Sequence, residues 1–157
     1  MNELELTWKV GALNAAYVRT IDNDELESWP NYFTADCLYN ITSSANHRAN
    51  LPAGIFYADS RGMLVDRISA LREANIFESH RYRHIVGMPA ILGQQRDEVR
   101  AETPFVTYRI MRDGRTDPFV TGCYLDRIVF DGPNLKFAER IVVCDSSTFD
   151  TLLVIPL

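Results

Sequence analysis

The sequence predicts an α+β fold with its helices first and its strands after. Three observations carry this. Within residues 4–21, Leu6, Val10, Leu13, Tyr17 and Ile21 recur at spacings of three and four, the signature of an amphipathic helix. Met63, Leu64, Ile68 and Leu71 repeat the pattern in a helix that Asp59-Ser60 opens and that runs to about Asn75. From His80 the period drops to two, and strands follow almost to the end. Segregation of helices from strands in this way implies helices packed on one face of an antiparallel sheet.

The remaining elements follow in order. Asp22-Asn23-Asp24 closes the first helix and caps a short second one over residues 25–32, where Trp29, Tyr32 and Phe33 serve as core anchors. Cys37, Tyr39 and Ile41 alternate with Leu38, Asn40 and Thr42 in a first strand. Residues 43–52 read as a polar loop carrying His47. Strands are expected over 80–88, 90–92, 98–112, 119–130 and 135–145. Pro104 marks a bulge or an edge. Asp113-Gly114 and Asp131-Gly132-Pro133-Asn134 supply the hairpin turns. Two or three helices on a strongly curved antiparallel sheet would form a cone, an order of elements that resembles the cystatin-like or NTF2-like fold.

Composition narrows the function. The 157 residues fit one domain, 1–157, of ordinary size. A net charge of -5 argues against nucleic-acid and anionic-membrane partners, which select basic surfaces. No apolar run reaches 18 residues and the start, MNELELTWK, is acidic, so a cytoplasmic protein is expected. Cys37, Cys123 and Cys144 are widely spaced in apolar runs and read as reduced, buried thiols.

The segment 66–88, DRISALREANIFESHRYRHIVGM, is the densest in chemistry. His80, Tyr82, His84 and Val86 share one strand face, and Arg81, Arg83 and Ile85 the other. One face must meet the core, where any titratable group needs a partner. The two histidines stand four strand rises apart, roughly 13 Å, too far to share one metal ion on a regular strand. No C-x-x-C pair, paired Cys/His cluster motif, G-x-S-x-G or G-x-G-x-x-G is present. His84, Asp36, Tyr17 and Tyr39 could serve acid–base chemistry inside a cone, although no spacing compels it. Phe105, Tyr108, Arg109, Phe119 and Tyr124 on the long strands suit an interface. The apolar tail 152–157, ending in Leu157, is expected to be covered by this subunit or a neighbour. Arg67, Arg83 and His84 are expected to join a polar network, with Asp66 or Glu139 as acidic partners.

Four stretches carry a resemblance: YFTADCLYNIT after Trp29, DRISALREANIFESHRYRHIVG, AETPFVTYRIM and ERIVVCDSSTFDTLLVIPL. Over nearly its full length the chain resembles the small (beta) subunit of aromatic-ring-hydroxylating dioxygenases, especially the group acting on aromatic carboxylates such as terephthalate, anthranilate and salicylate. Within HRYRH, Arg81, Arg83 and His84 match the family and His80 and Tyr82 match loosely. The resemblance implies an NTF2-like cone in a structural subunit. Its partners would be a large alpha subunit and sister beta subunits in an alpha3beta3 hexamer. The Rieske 2Fe-2S cluster, the mononuclear iron and the substrate pocket would belong to alpha. No catalytic, cofactor-binding or metal residue carries over to this chain. Arg67, Arg81, Arg83, His84, Tyr108, Arg109 and Leu157 are then structural or interface candidates. The alternative is a stand-alone NTF2-like dehydratase or isomerase working through His, Asp and Tyr.

Overall fold

A computed structural model describes residues 1–51, 54–74, 79–148 and 155–157. Helix α1, Glu3–Asp22, opens on a capping box: Asn2 accepts from the Glu5 amide and Glu5 answers on the Asn2 amide. Its buried stripe is Leu6, Val10, Asn14, Tyr17, Val18 and Ile21. The expected second helix shrinks to a single 3-10 turn, Trp29–Tyr32, because Pro30 sits at its start and the following residues extend into a strand. Strand β1, Phe33–Ser43, is longer than predicted at its start. The polar loop contains a short helix α2, Ser44–Arg48, followed by a strand β2, Phe56–Ala58, that the sequence pattern did not reveal. Helix α3 spans Arg61–Ala74. Then come β3, His80–Val86; β4, Ala90–Gln95; β5, Glu98–Met111; β6, Thr116–Asp131; and β7, Asn134–Cys144.

The sheet corrects one expectation. The fold is α+β, but the strongly curved antiparallel sheet of a cystatin-like or NTF2-like cone is not what forms. The strand order is β2-β1-β7-β6-β5-β3, with β4 also paired to β5, and the sheet neither closes nor curves strongly. It is mixed, because β1 lies parallel to β7 over Leu38–Glu139 to Ser43–Cys144. The first and last strands are joined by everything between them, a non-local pairing that no local periodicity encodes.

Pro104 has a positional reason. The lower part of β5 pairs with β4 and the upper part with β3, and Pro104 lies between the two pairings. A residue without an amide hydrogen fits where the neighbouring strand changes. There Gly87 donates its amide to the Pro104 carbonyl at 2.8 Å. The inner face of β5 runs Val99, Ala101, Thr103, Phe105, Thr107, Arg109 and Met111, all buried and alternating with exposed or half-buried residues.

A β-bulge in β7 decides what enters the core. The hairpin pairs Asp131 with Asn134 and Ile128 with Phe137, then slips by one so that Arg127 faces Glu139 and Asp126 faces Arg140. Phe137 and Ala138 are consequently both buried, and Arg140, Val142 and Cys144 continue the inward row while Glu139 remains half-buried outside it. An unbulged strand would have turned Glu139 inward and Arg140 out.

Candidate functional site

Two buried polar clusters hold the helices to the sheet. In the first, Arg140 is fully buried and forks onto Asp126, directly opposite on β6: Nε donates to Oδ1 at 2.8 Å and Nη2 to Oδ2 at 2.7 Å. Nη2 also donates to Oδ1 of Asn14, and Asn14 Nδ2 donates to Thr103 Oγ1 at 3.1 Å. The guanidinium is sandwiched by aromatic faces, with Cζ 3.8 Å from the Tyr124 and Phe137 ring centres and 4.4 Å from Tyr17. Asp126 and its hydrogen bonds hold Arg140 in the charged form against the cost of burial. One asparagine in the apolar stripe of α1 thus connects that helix to three strands.

The second cluster is Asp22 with His84. Asp22 ends α1 and is buried; its carboxylate accepts the His84 amide at 2.8 Å and approaches His84 Nδ1 at 2.6 Å. The imidazole is wholly buried, with Nε2 lacking a hydrogen-bond partner and the Tyr82 and Phe105 rings alongside. Asp22 therefore also satisfies an amide on β3, the strand at the edge of the sheet. A cleft of about 340 Å³ lies nearby between α3 and the start of β3, lined by Asp22, Arg72, Arg81 and Tyr82 among others. His84 does not line it.

The sequence-predicted candidates are dispersed. Arg67 is exposed on α3 with its guanidinium 4.2 Å from the Phe56 ring centre. Arg81 and Arg83 point outward from β3, while His84 points in. Tyr108 is half-buried on the outer face of β5, opposite Arg83 in register. Arg109 is buried on the inner face, over Phe119 at 4.7 Å. Leu157 is buried in the core; residues 152–154 of the tail lie outside the described residues. Arg67, Arg83 and His84 do not gather: the acid that meets His84 is Asp22, not Asp66 or Glu139. Asp36, offered for acid–base work, is exposed, whereas Tyr17 and Tyr39 are buried. Arg140, Asp126, Asn14 and Asp22 went unrecognised, although each is a polar residue on an otherwise apolar face.

The cysteines are unpaired: Cys37 and Cys144 are buried and Cys123 is half-buried. Burial pushes the thiols of Cys37 and Cys144 up to about 11 and about 12. A raised thiol value means the neutral form persists until the pH climbs through it, so at pH 8 only on the order of one Cys37 in a thousand is thiolate. Iodoacetamide at pH 8 should therefore modify native protein at Cys123 first, and at Cys37 and Cys144 only on unfolding. Equal native labelling of all three, read by peptide mass spectrometry, would contradict this. Among the described residues no group of three or more His, Cys, Asp or Glu could hold a metal ion.

Comparison with known proteins places this architecture. The family model "Ring hydroxylating beta subunit" matches residues 16–151. The chain belongs to the ring-hydroxylating beta-subunit family. It is 50% identical over 157 residues to the terephthalate 1,2-dioxygenase terminal oxygenase component subunit beta 1 of Comamonas sp., covering 100% of this chain and 99% of that one. The anthranilate 1,2-dioxygenase small subunit of Burkholderia cepacia is 36% identical, over 96% of this chain and 94% of its own. A crystal structure of a beta subunit assigned to an aromatic-ring-hydroxylating dioxygenase of Novosphingobium aromaticivorans superimposes with a TM-score of 0.90. It shares 37% identity and the match covers 98% of both chains. This is a noncatalytic beta subunit that assists a catalytic alpha subunit in a ring-hydroxylating dioxygenase complex. In such a subunit the two buried clusters serve a scaffold: they fix α1 against β3, β5, β6 and β7. No helix among the described residues is long and apolar enough to cross a membrane.

Proposed function

We propose that this single-domain beta subunit assembles with its alpha subunit as an alpha3beta3 hexamer in the cytoplasm, and that the complex oxidises an aromatic carboxylate of the terephthalate or anthranilate kind. The full-length 50% identity to a terephthalate dioxygenase beta subunit carries this reading. The anthranilate relative supports the wider class of ring acids. The cysteines left as free thiols suit a reducing compartment. The contact surface is the outward side of β3, where Arg81, Arg83 and the exposed Ile85 stand in register with Ile110, Tyr108 and Val106 of β5. Arginine beside tyrosine and aliphatic side chains is the composition of an interface centre. The catalytic groups, on this reading, are all supplied by alpha.

The test is co-expression with the alpha subunit, followed by mass measurement on a sizing column and turnover of terephthalate and anthranilate. The expected result is a complex of three copies of each chain that oxidises at least one of these acids. The double substitution Arg81→Glu with Arg83→Glu should abolish co-purification and leave the melting temperature of the beta subunit unchanged. A complex of other stoichiometry, turnover by the beta subunit alone, or undiminished assembly of the charge-reversed variant would refute the corresponding part.

A further inference from the structure

The most exposed large apolar side chains among the described residues are Met88 at 80%, Leu4 at 79%, Trp8 at 73% and Leu92 at 62%. All four belong to one corner of the molecule, and local geometry brings them there. Leu4, Trp8 and Gly11 follow one another at spacings of four and three, so they share a face of α1 away from its buried stripe. At Gly11 that face meets the connection between β3 and β4: a side-chain carbon there would lie 3.8 Å from Pro89 Cδ. Met88 immediately precedes Pro89. Beyond it the pairing of β4 with β5 slips between Ile91 and Gly93, which leaves Leu92 as the unmatched residue of a bulge. A bulge re-aims a side chain: Ile91 packs against the core, and Leu92 stands in solvent. The rim is polar, with Glu5 and Lys9 exposed on α1 and Gln94 and Gln95 exposed on β4.

An apolar centre with an aromatic anchor and a polar rim is the anatomy of a protein interface. The four side chains leave on the order of 500 Å² of apolar surface uncovered, at the top of the range for a protein that stands alone. This chain does not stand alone, since its family assists a catalytic alpha subunit. A specific interface takes about 800 Å² from each partner. Arg81, Arg83 and Ile85 on the outward side of β3 are too few to supply that, whereas β3 and this corner together come close. The two surfaces are continuous: Ile85 leads through Val86 and Gly87 into Met88, and β3 and β4 line the same edge of β5. We propose that the alpha subunit wraps this edge of the sheet, taking Trp8 into an apolar pocket with Leu4, Met88 and Leu92 around it. The inference rests on the β3 contact surface of the preceding section and extends it round the edge to α1. It also gives a cover to β4, which pairs with β5 alone among the described strands and whose second edge would otherwise template stray strand pairing.

Competition for the alpha subunit tests this. Alpha is co-expressed with equal amounts of the parent and the Trp8→Ala beta subunit, and the purified complex is weighed by mass spectrometry. The parent should outnumber the variant at least about tenfold, the loss that removal of an interface anchor brings. Trp8 is exposed, so the variant alone should melt within about 2 °C of the parent. Tyr57→Ala, exposed on β2 at the opposite edge of the sheet, should enter the complex as readily as the parent. A second measurement needs no variant: peroxide converts an accessible methionine to its sulfoxide. Oxidation of Met88 should be at least about fivefold slower in the complex than in the beta subunit alone, while Met63 on α3 keeps its rate. Should Trp8→Ala melt lower than expected, protection of Met88 decides. Equal incorporation of a stably folded Trp8→Ala subunit, or undiminished oxidation of Met88 in the complex, would overturn the proposal. So would protection of Met88 in the beta subunit alone that grows with its concentration, which would assign the corner to a second copy. If charge reversal at Arg81 and Arg83 abolishes co-purification while Trp8→Ala competes equally, this inference alone fails; if the parent forms no complex with alpha, the reading beneath it fails.

Discussion

Replacing Arg140 with methionine is expected to lower stability by about 3–5 kcal/mol, because it strands the Asp126 carboxylate in the core with its partner gone. The methionine fills much of the same space, so the loss reports on charge and hydrogen bonding more than on a void. Asn14 would lose its donor, and the three aromatic faces would lose their cation. The double variant Arg140→Met with Asp126→Leu should recover most of the deficit, since a buried ion pair replaced by apolar groups of similar size is often near neutral. Urea denaturation of the three proteins decides it. A single variant within about 1 kcal/mol of the parent, or a double variant worse than the single, would show that the pair does not act as a unit.

Asp22→Ala should cost about 2–4 kcal/mol, for a different reason: it removes one acceptor from two buried donors, the His84 amide and its Nδ1. The effect should be local as well as global. Amide exchange at His84 is expected to accelerate more than at the inner strands, because β3 lies at the edge of the sheet and Asp22 supplies the acceptor there. Asp22→Asn keeps an oxygen for the amide and should recover part of the loss. Unchanged exchange at His84 in the alanine variant would refute the role given to Asp22.

The scaffold role also rests on the exposed ion pairs far less than on these two clusters. Arg72 binds Glu27 at 2.7 Å and Asp24 at 2.9 Å, clamping α3 to the turn after α1. All three side chains are substantially exposed, so solvent screens the interaction and its contribution is small.

Much of the architecture was legible because it is written in short-range periodicity. The stripe of α1, the helix α3, the sharing of one β3 face by Tyr82 and His84, and the two Asp-Gly turns each depend on residues within a few positions of one another. The short strand β2 and the parallel pairing of β1 with β7 were not legible, since each depends on partners distant in sequence. Candidate polar residues divide in the same way. Period alone placed His84 on one face of β3 with Tyr82, but that this face is the buried one, and that its acid is Asp22, came from the fold, because Asp22 reads locally as a helix terminator.

The amino-acid sequence by itself determined the α+β class, which residues share a face in α1, α3 and β3, and the family. Tertiary structure alone decided which charges meet. The one-residue bulge at Ala138 is the clearest reason: a side-chain period of two means that a single inserted residue exchanges the faces of everything beyond it. It turned Glu139 out and Arg140 in, opposite Asp126 and beneath Asn14. The hairpin turn specifies a register, and packing of Phe137 and Ala138 against the core overrides it.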